Sequence, residues 1–218
     1  MMQPRHMQGK RRCPRALTEV LSILAVILAA FCVLSWMLLD DPNAGRTMER
    51  PSDTVTEKAV AAAASGEECA LTPQEVSGFL NNMLQKKKAS GSALSSVSVT
   101  AGKSGTTDVY VPVRYAGKTL GVSMNLSPSF DPQTERMLFT VHSMRVGRLP
   151  VPKKRALEMM ESRLPSILSR DGDVIACDTK ALFRVSYRNM SAQLKMKSLR
   201  MESGTFRLKF GLGLGFSA

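Results

Sequence analysis

At 218 residues the chain has room for one folded domain with appendages, since a single hydrophobic core usually takes about 100–200 residues. The formal charge of +12 is unevenly spread: residues 71–218 hold 22 Lys and Arg against 10 Asp and Glu, and residues 17–70 hold 3 against 8. A basic surface of this kind favours polyanions, but three Tyr, a single Trp and no nucleic-acid-binding motif argue against nucleic acid.

Residues 1–16 carry Arg5, Lys10, Arg11, Arg12 and Arg15 and no acid, a basic leader ahead of an apolar segment assigned to 17–39. Within it, Val20 to Leu39 contain only Ser22, Cys32 and Ser35 as polar members, which is long enough to cross a bilayer as a helix. The basic flank predicts a cytoplasmic N-terminus, with Asp40 and Asp41 on the far side and Trp36 in the interfacial belt. The apolar run exceeds the core of a signal peptide, and Trp36-Met37-Leu38-Leu39-Asp40 offers no small-residue cleavage site, so a retained anchor is favoured over a cleaved leader. Phe31 before Cys32 argues against a lipoprotein site. Asp40 to Cys69 mixes charge, Pro, Ser and an Ala run without apolar periodicity, so 40–70 reads as an extracytoplasmic stalk.

The folded domain, 71–218, opens on a marked helix start. Leu71, Thr72, Pro73, Glu75 and Val76 supply staple, N-cap, first-turn proline, capping-box acid and staple partner. Val76, Phe79, Leu80, Met83 and Leu84 then form one apolar stripe, and Lys86, Lys87 and Lys88 end the helix where positive charge suits its dipole. From Ser92 to Leu126 the period changes to two. A turn at Ala116-Gly117 sets Val109, Val111 and Val113 opposite Met124, Val122 and Leu120, while Tyr110, Pro112, Arg114, Thr119, Ser123 and Asn125 make a polar face. Pro112 in mid-strand points to an edge.

Met137 to Leu168 reads as a strand, a Gly147-Arg148-Leu149-Pro150 turn and an amphipathic helix. Met137, Phe139 and Val141 fall on one face of the strand and Leu138, Thr140, Met144 and Val146 on the other. Pro150 and Pro152 suit a helix start, after which Ala156, Leu157, Met160 and Leu164 line its apolar side and Pro165 kinks or ends it. Asp171-Gly172-Asp173 turns the chain into Val174 to Cys177, and Ala181 to Tyr187 read as a further strand. A last hairpin across Ser203-Gly204 pairs Met201 with Phe206 and Leu199 with Leu208, and Leu194 and Met196 are out of phase with them, which predicts a bulge near Lys197 or Ser198. The expected fold is α+β: an N-terminal transmembrane helix, then a twisted antiparallel sheet of six to eight strands packed with two amphipathic helices.

The layout, the Leu71 to Val76 helix start, the Val146 to Pro152 turn and the Leu199 to Leu208 hairpin together resemble the YpmS-like family of Gram-positive bacteria, over roughly residues 70–214. That family is functionally uncharacterised, so no catalytic or binding residue is carried over. The resemblance implies a membrane-anchored, extracytoplasmic envelope domain.

No catalytic constellation is present. His6 lies in the leader, and His142 reads as a half-buried sheet residue. Asp171, Asp173 and Asp178 lack the spacing and closing Glu of a calcium loop, and the Cys are too scattered for a metal, so neither a metal nor another cofactor is expected. Cys69 and Cys177, both placed outside, are either a disulfide or two separate thiols. The candidate binding feature is Arg145, Arg148, Lys153, Lys154 and Arg155, five basic residues around the Gly147 turn with no acid until Glu158. If they converge they suit a phosphate, an anionic lipid or a teichoic-acid-like polymer; otherwise they keep a helix start soluble. Two functions follow. One is a non-enzymatic domain binding a lipid, amphiphile or anionic envelope polymer, with a long pocket between helices and sheet as its mark. The other is a scaffold docking other envelope proteins, marked by a closed core and an open sheet edge.

Overall fold

The computed structural model describes residues 15–87, 96–115, 117–161, 167–182, 184–187 and 190–215. In chain order the elements are α1 (Arg15–Leu39), α2 (Thr54–Ser65), β1 (Glu68–Leu71), α3 (Pro73–Lys87), β2 (Ser98–Ala101), β3 (Thr107–Tyr115), β4 (Lys118–Asp131), β5 (Arg136–Val146), β6 (Leu149–Val151), α4 (Lys153–Glu161), β7 (Leu168–Asp171), β8 (Val174–Asp178), α5 (Thr179–Leu182), β9 (Arg184–Tyr187), β10 (Met190–Glu202) and β11 (Thr205–Gly215). The class is α+β, but the expected single sheet is two. A seven-stranded antiparallel sheet runs β2-β3-β4-β5-β8-β7 with β6 added on β5, and a four-stranded one runs β1-β11-β10-β9.

Local chemistry explains the hairpins. Val109, Val111 and Val113 face Met124, Val122 and Leu120 with Tyr115 opposite Lys118, the register a two-residue turn demands. Ala116 itself lies outside the described residues, as do the leader to residue 14, Lys88, Leu164 and Pro165. The last hairpin pairs Met201 with Phe206 and Leu199 with Leu208, and its ladder slips between Met196 and Ser198, which puts the extra residue at Lys197. That slip brings Leu194 and Met196 into the same buried cluster as Phe206 and Leu208. Pairing between β2 and β3 ends at Tyr110, two residues before Pro112.

The long strand β5 departs from simple alternation. Asn125 pairs with Ser143 but Leu126 pairs with Val141, so His142 is an extra residue bulged out of β5. A one-residue bulge reverses the parity of everything after it, and Met144 therefore joins Val141 on the buried face instead of opposing it. His142 is exposed, not half-buried. Val141, at 0% exposure, and Met144 pack with Leu126, Ile175 and Leu157 of α4 in one core. The second core joins Val55 and Ala59 of α2 to Leu71, Leu194, Phe206 and Phe210, with Phe79 and Leu80 of α3 packed against it.

Residues 40–70 are not a stalk. Val55, Ala59 and Ala62 of α2 are buried in the second core, Gly66 closes the helix in the left-handed conformation, and β1 pairs Cys69 with Leu208 and Leu71 with Phe206. The Ala run that hid the amphipathic pattern is what lets α2 lie close against the sheet, because Ala buries without bulk. Past the Gly147 turn, Pro150 sits on β6 opposite Arg145, and only Pro152 precedes the helix, where its carbonyl accepts from Ala156 N–H. Thr179 to Leu182 form a helical turn, so the expected strand from Ala181 begins at Arg184.

Candidate interaction surface

The capping box assembles as its residue types require: Thr72 N–H donates to Glu75 Oε2 at 2.8 Å, and Glu75 N–H to Thr72 Oγ1 at 3.3 Å. Glu75 also accepts from Lys58 of α2 at 2.6 Å, which ties the two helices. Burial alone would raise the Glu75 pKa, but the Lys58 and Thr72 hydrogen bonds outweigh it and hold the carboxyl below its ordinary range. Two polar residues of α3 sit inside the apolar stripe. Asn81 donates to the carbonyls of Glu49 and Val97 and accepts from Val97 N–H, and buried Ser77 accepts from Val99 N–H at 2.8 Å. The helix thereby supplies the hydrogen bonds that the outer edge of β2 would otherwise offer to a passing strand.

The polar face of the β3–β4 hairpin is covered by the chain itself. Asp41 accepts from the Tyr110 hydroxyl at 2.5 Å, Asn43 Nδ2 donates to Ser123 Oγ at 3.2 Å, and Arg46 donates to Thr100 Oγ1 at 3.3 Å. Gly121 leaves the room that the Asp41 carboxylate fills. Arg46 also stacks its guanidinium over the Tyr110 ring, 6.0 Å from the centroid. Burial, then the Asp41 hydrogen bond and charge, push the Tyr110 hydroxyl up to about 12, against the opposing pull of Arg46. Further on, Ser52 N–H donates to Gly78 O at 3.1 Å, so residues 40–52 form a strap from α1 across the sheet to α3.

The strap begins at a joint. Arg148 N–H donates to Met37 O at 2.9 Å, satisfying one of the orphan carbonyls at the end of α1, and the Arg148 side chain pairs with Asp40 at 3.0 Å and lies over the Trp36 ring. Gly147, at φ +57°, has no room for a Cβ: one would stand 2.5 Å from Leu38 O and 2.7 Å from Met37 O.

The five basic residues do not share one mouth. Arg145 is exposed on β5, Arg148 holds the end of α1, and Lys153 pairs with Asp173 at 2.6 Å beside Val141 O. Lys154 and Arg155 are exposed on the first turn of α4. Val141 lies five residues along β5 from Val146, so the α4 start stands roughly 15 Å from the Gly147 turn. Antiparallel β6 carries the chain back along β5 before the helix begins, a displacement that spacing in sequence does not show.

Cys69 and Cys177 are buried on strands of different sheets and are not joined to each other. Burial pushes the Cys69 thiol up, Lys58 opposing, which keeps it in its unreactive protonated form. Sequence reasoning missed one pair: Ser127 Oγ lies 2.7 Å from His142 Nε2 on the exposed side of the bulge. It has neither enclosure nor a carboxylate partner for the ring among the described residues, and so lacks the rest of a nucleophilic site.

Two hollows stand out. An apolar one of about 60 Å³ lies between the sheets and α3, lined by Val76, Val99, Leu126, Phe139 and Phe206. An open polar groove of about 460 Å³ lies along the strap, with Arg46 against Glu49 and Asp108 giving it both signs of charge. The helix α1 contains an 18-residue span, Ser22–Leu39, long and apolar enough to cross a membrane, which fits an anchor or a signal sequence. Comparison with family models, with curated proteins and with solved structures returns no match to this chain.

Proposed function

We propose that the chain is a single-pass, non-enzymatic membrane protein of the cell envelope, akin to the YpmS-like family, whose α+β domain stands outside the cytoplasm and docks other envelope proteins at a fixed orientation. The observation that carries this is the joint between α1 and the Gly147-Arg148 turn. An anchor that serves reach ends in a flexible linker. This one ends in a backbone hydrogen bond and an ion pair to the domain and continues into a strap bonded across the sheet, which favours orientation over reach. The same joint favours a retained helix over a cleaved leader, since cleavage would strip Arg148 N–H of its partner, Met37 O.

The alternative of a swallowed acyl chain needs a pocket of about 300–1,000 Å³. The apolar hollow of about 60 Å³ favours a closed core. An anionic lipid or teichoic-acid-like polymer stays in play only as a surface ligand, supported by the basic excess of residues 71–218.

The test is a photo-crosslinking amino acid at Met159, a 77% exposed side chain on α4, in native membranes. Discrete protein adducts are expected, and a flexible Gly-Ser insertion between Leu39 and Asp40 is expected to remove them while the chain stays in the membrane. Adducts indifferent to the insertion, or to lipid and polymer only, would sink the docking reading.

A further inference from the structure

We infer that the tip of the β3–β4 hairpin, with Arg114 and Lys118, lies on the head-group layer of the bilayer that α1 enters and binds anionic lipid there. The inference rests on the reading of α1 as a membrane anchor. Three observations carry it.

The first is direction. The end of α1 meets the sheet at Gly147, whose N–H donates to Gly121 O, and the strap then passes Tyr110, Ser123 and Thr100 in turn. It therefore travels along β4 away from the hairpin turn. The turn itself, between Tyr115 and Lys118, stands three residues on the α1 side of Gly121, or roughly 10 Å. The opposite end of β4, at Asp131, lies ten residues the other way, roughly 33 Å from Gly121. A domain fixed to its anchor at this joint presents the hairpin turn, not the Asp131 end, to the membrane.

The second is charge. Arg114 and Lys118 are both exposed, and no acid occurs from Val109 to Phe130. The acids that do reach this end are engaged: Asp40 with Arg148, and Asp41 with Tyr110 and the Asn43 N–H. The third is the joint's own composition. Arg148 over Trp36, itself exposed, is the aromatic and basic pairing that suits the boundary between acyl chains and head groups. Close to an anionic surface each such basic residue strengthens attachment about fivefold, so Arg114 and Lys118 add orientation to what α1 alone supplies.

The experiment uses the full chain in lipid nanodiscs, with Cys13 and Cys32 changed to Ser and a fluorophore on Thr119→Cys or Gln133→Cys; buried Cys69 and Cys177 stay unlabelled. Nitroxide head-group lipid is the quencher. In discs containing phosphatidylglycerol the Thr119 probe is expected to be quenched and the Gln133 probe not, and the combined R114S and K118S variant is expected to lower the Thr119 quenching about fivefold or more. Discs of phosphatidylcholine alone are expected to behave like the variant. An unquenched Thr119 probe overturns the orientation; quenching unchanged by lipid charge and by the double variant overturns head-group binding. A chain that does not enter the discs overturns this inference and the anchoring on which it rests. Quenching as expected with no protein adducts at Met159 leaves this inference standing and sinks only the docking role.

Discussion

Arg148 N–H donates to Met37 O across 111 positions of sequence, and Gly147 beside it brings its backbone so close to α1 that a methyl group would stand 2.5 Å from Leu38 O. A glycine is needed here twice over, for its φ of +57° and for the contact. Gly172 has the same φ of +57° but open space around it. Gly172→Ala is therefore expected to cost about 1 kcal/mol of backbone strain. Gly147→Ala should cost that and about 2 kcal/mol more for the clash. Denaturant unfolding of the full chain in detergent compares them, and equal costs would show that α1 does not press on the turn.

Tyr110 and Asp41 make the strap sensitive to alkali. The folded pKa of Tyr110 is raised to about 12 from an ordinary 10, so the folded state holds this proton more tightly than the unfolded chain. The resulting stability is fully present below pH 10 and is lost as pH climbs through about 12. Tyr110→Phe should flatten that alkaline loss. Asp41→Asn should move the hydroxyl back toward 10, read as phenolate absorbance; an unchanged titration in Asp41→Asn would mean that the strap does not hold Tyr110.

Asn81 is 5% exposed and meets three backbone groups, two on Val97 and one on Glu49. Asn81→Leu keeps the branched shape but leaves those groups without their partner, so a loss of about 3 kcal/mol is expected in chemical denaturation. A neutral or stabilising effect would mean that water replaces the side chain and the β2 edge is open.

Orientation in the membrane is checked by labelling intact cells with an impermeant thiol reagent. Ser65→Cys, at the exposed end of α2, is expected to react, whereas Gln8→Cys in the leader is expected to stay silent. The reverse pattern would place the domain in the cytoplasm and remove the envelope from the proposed role.

What the amino-acid sequence determined by itself is whatever a short window of chemistry can specify. The capping box at Thr72 and Glu75, the register of Val111 on Val122, the Ser203-Gly204 hairpin and the span within α1 are all set by residues within about a turn or a strand of one another. Even the bulge at Lys197 was legible, because Met196 and Leu199 fall out of step locally. The bulge at His142 was not: β5 is apolar on both faces near its start, so alternation has no single phase to break, and only the ladder with β4 places the extra residue. The split into two sheets, the burial of α2 and the strap along Tyr110 and Ser123 were decided by tertiary structure, since each joins polar or small residues far apart in the chain. Residues 40–70 looked like a stalk because Asp, Asn, Arg and Ala carry no periodic apolar signal. Their partners, a tyrosine hydroxyl, a missing Cβ at Gly121 and a sheet edge, exist only once the domain has folded around them.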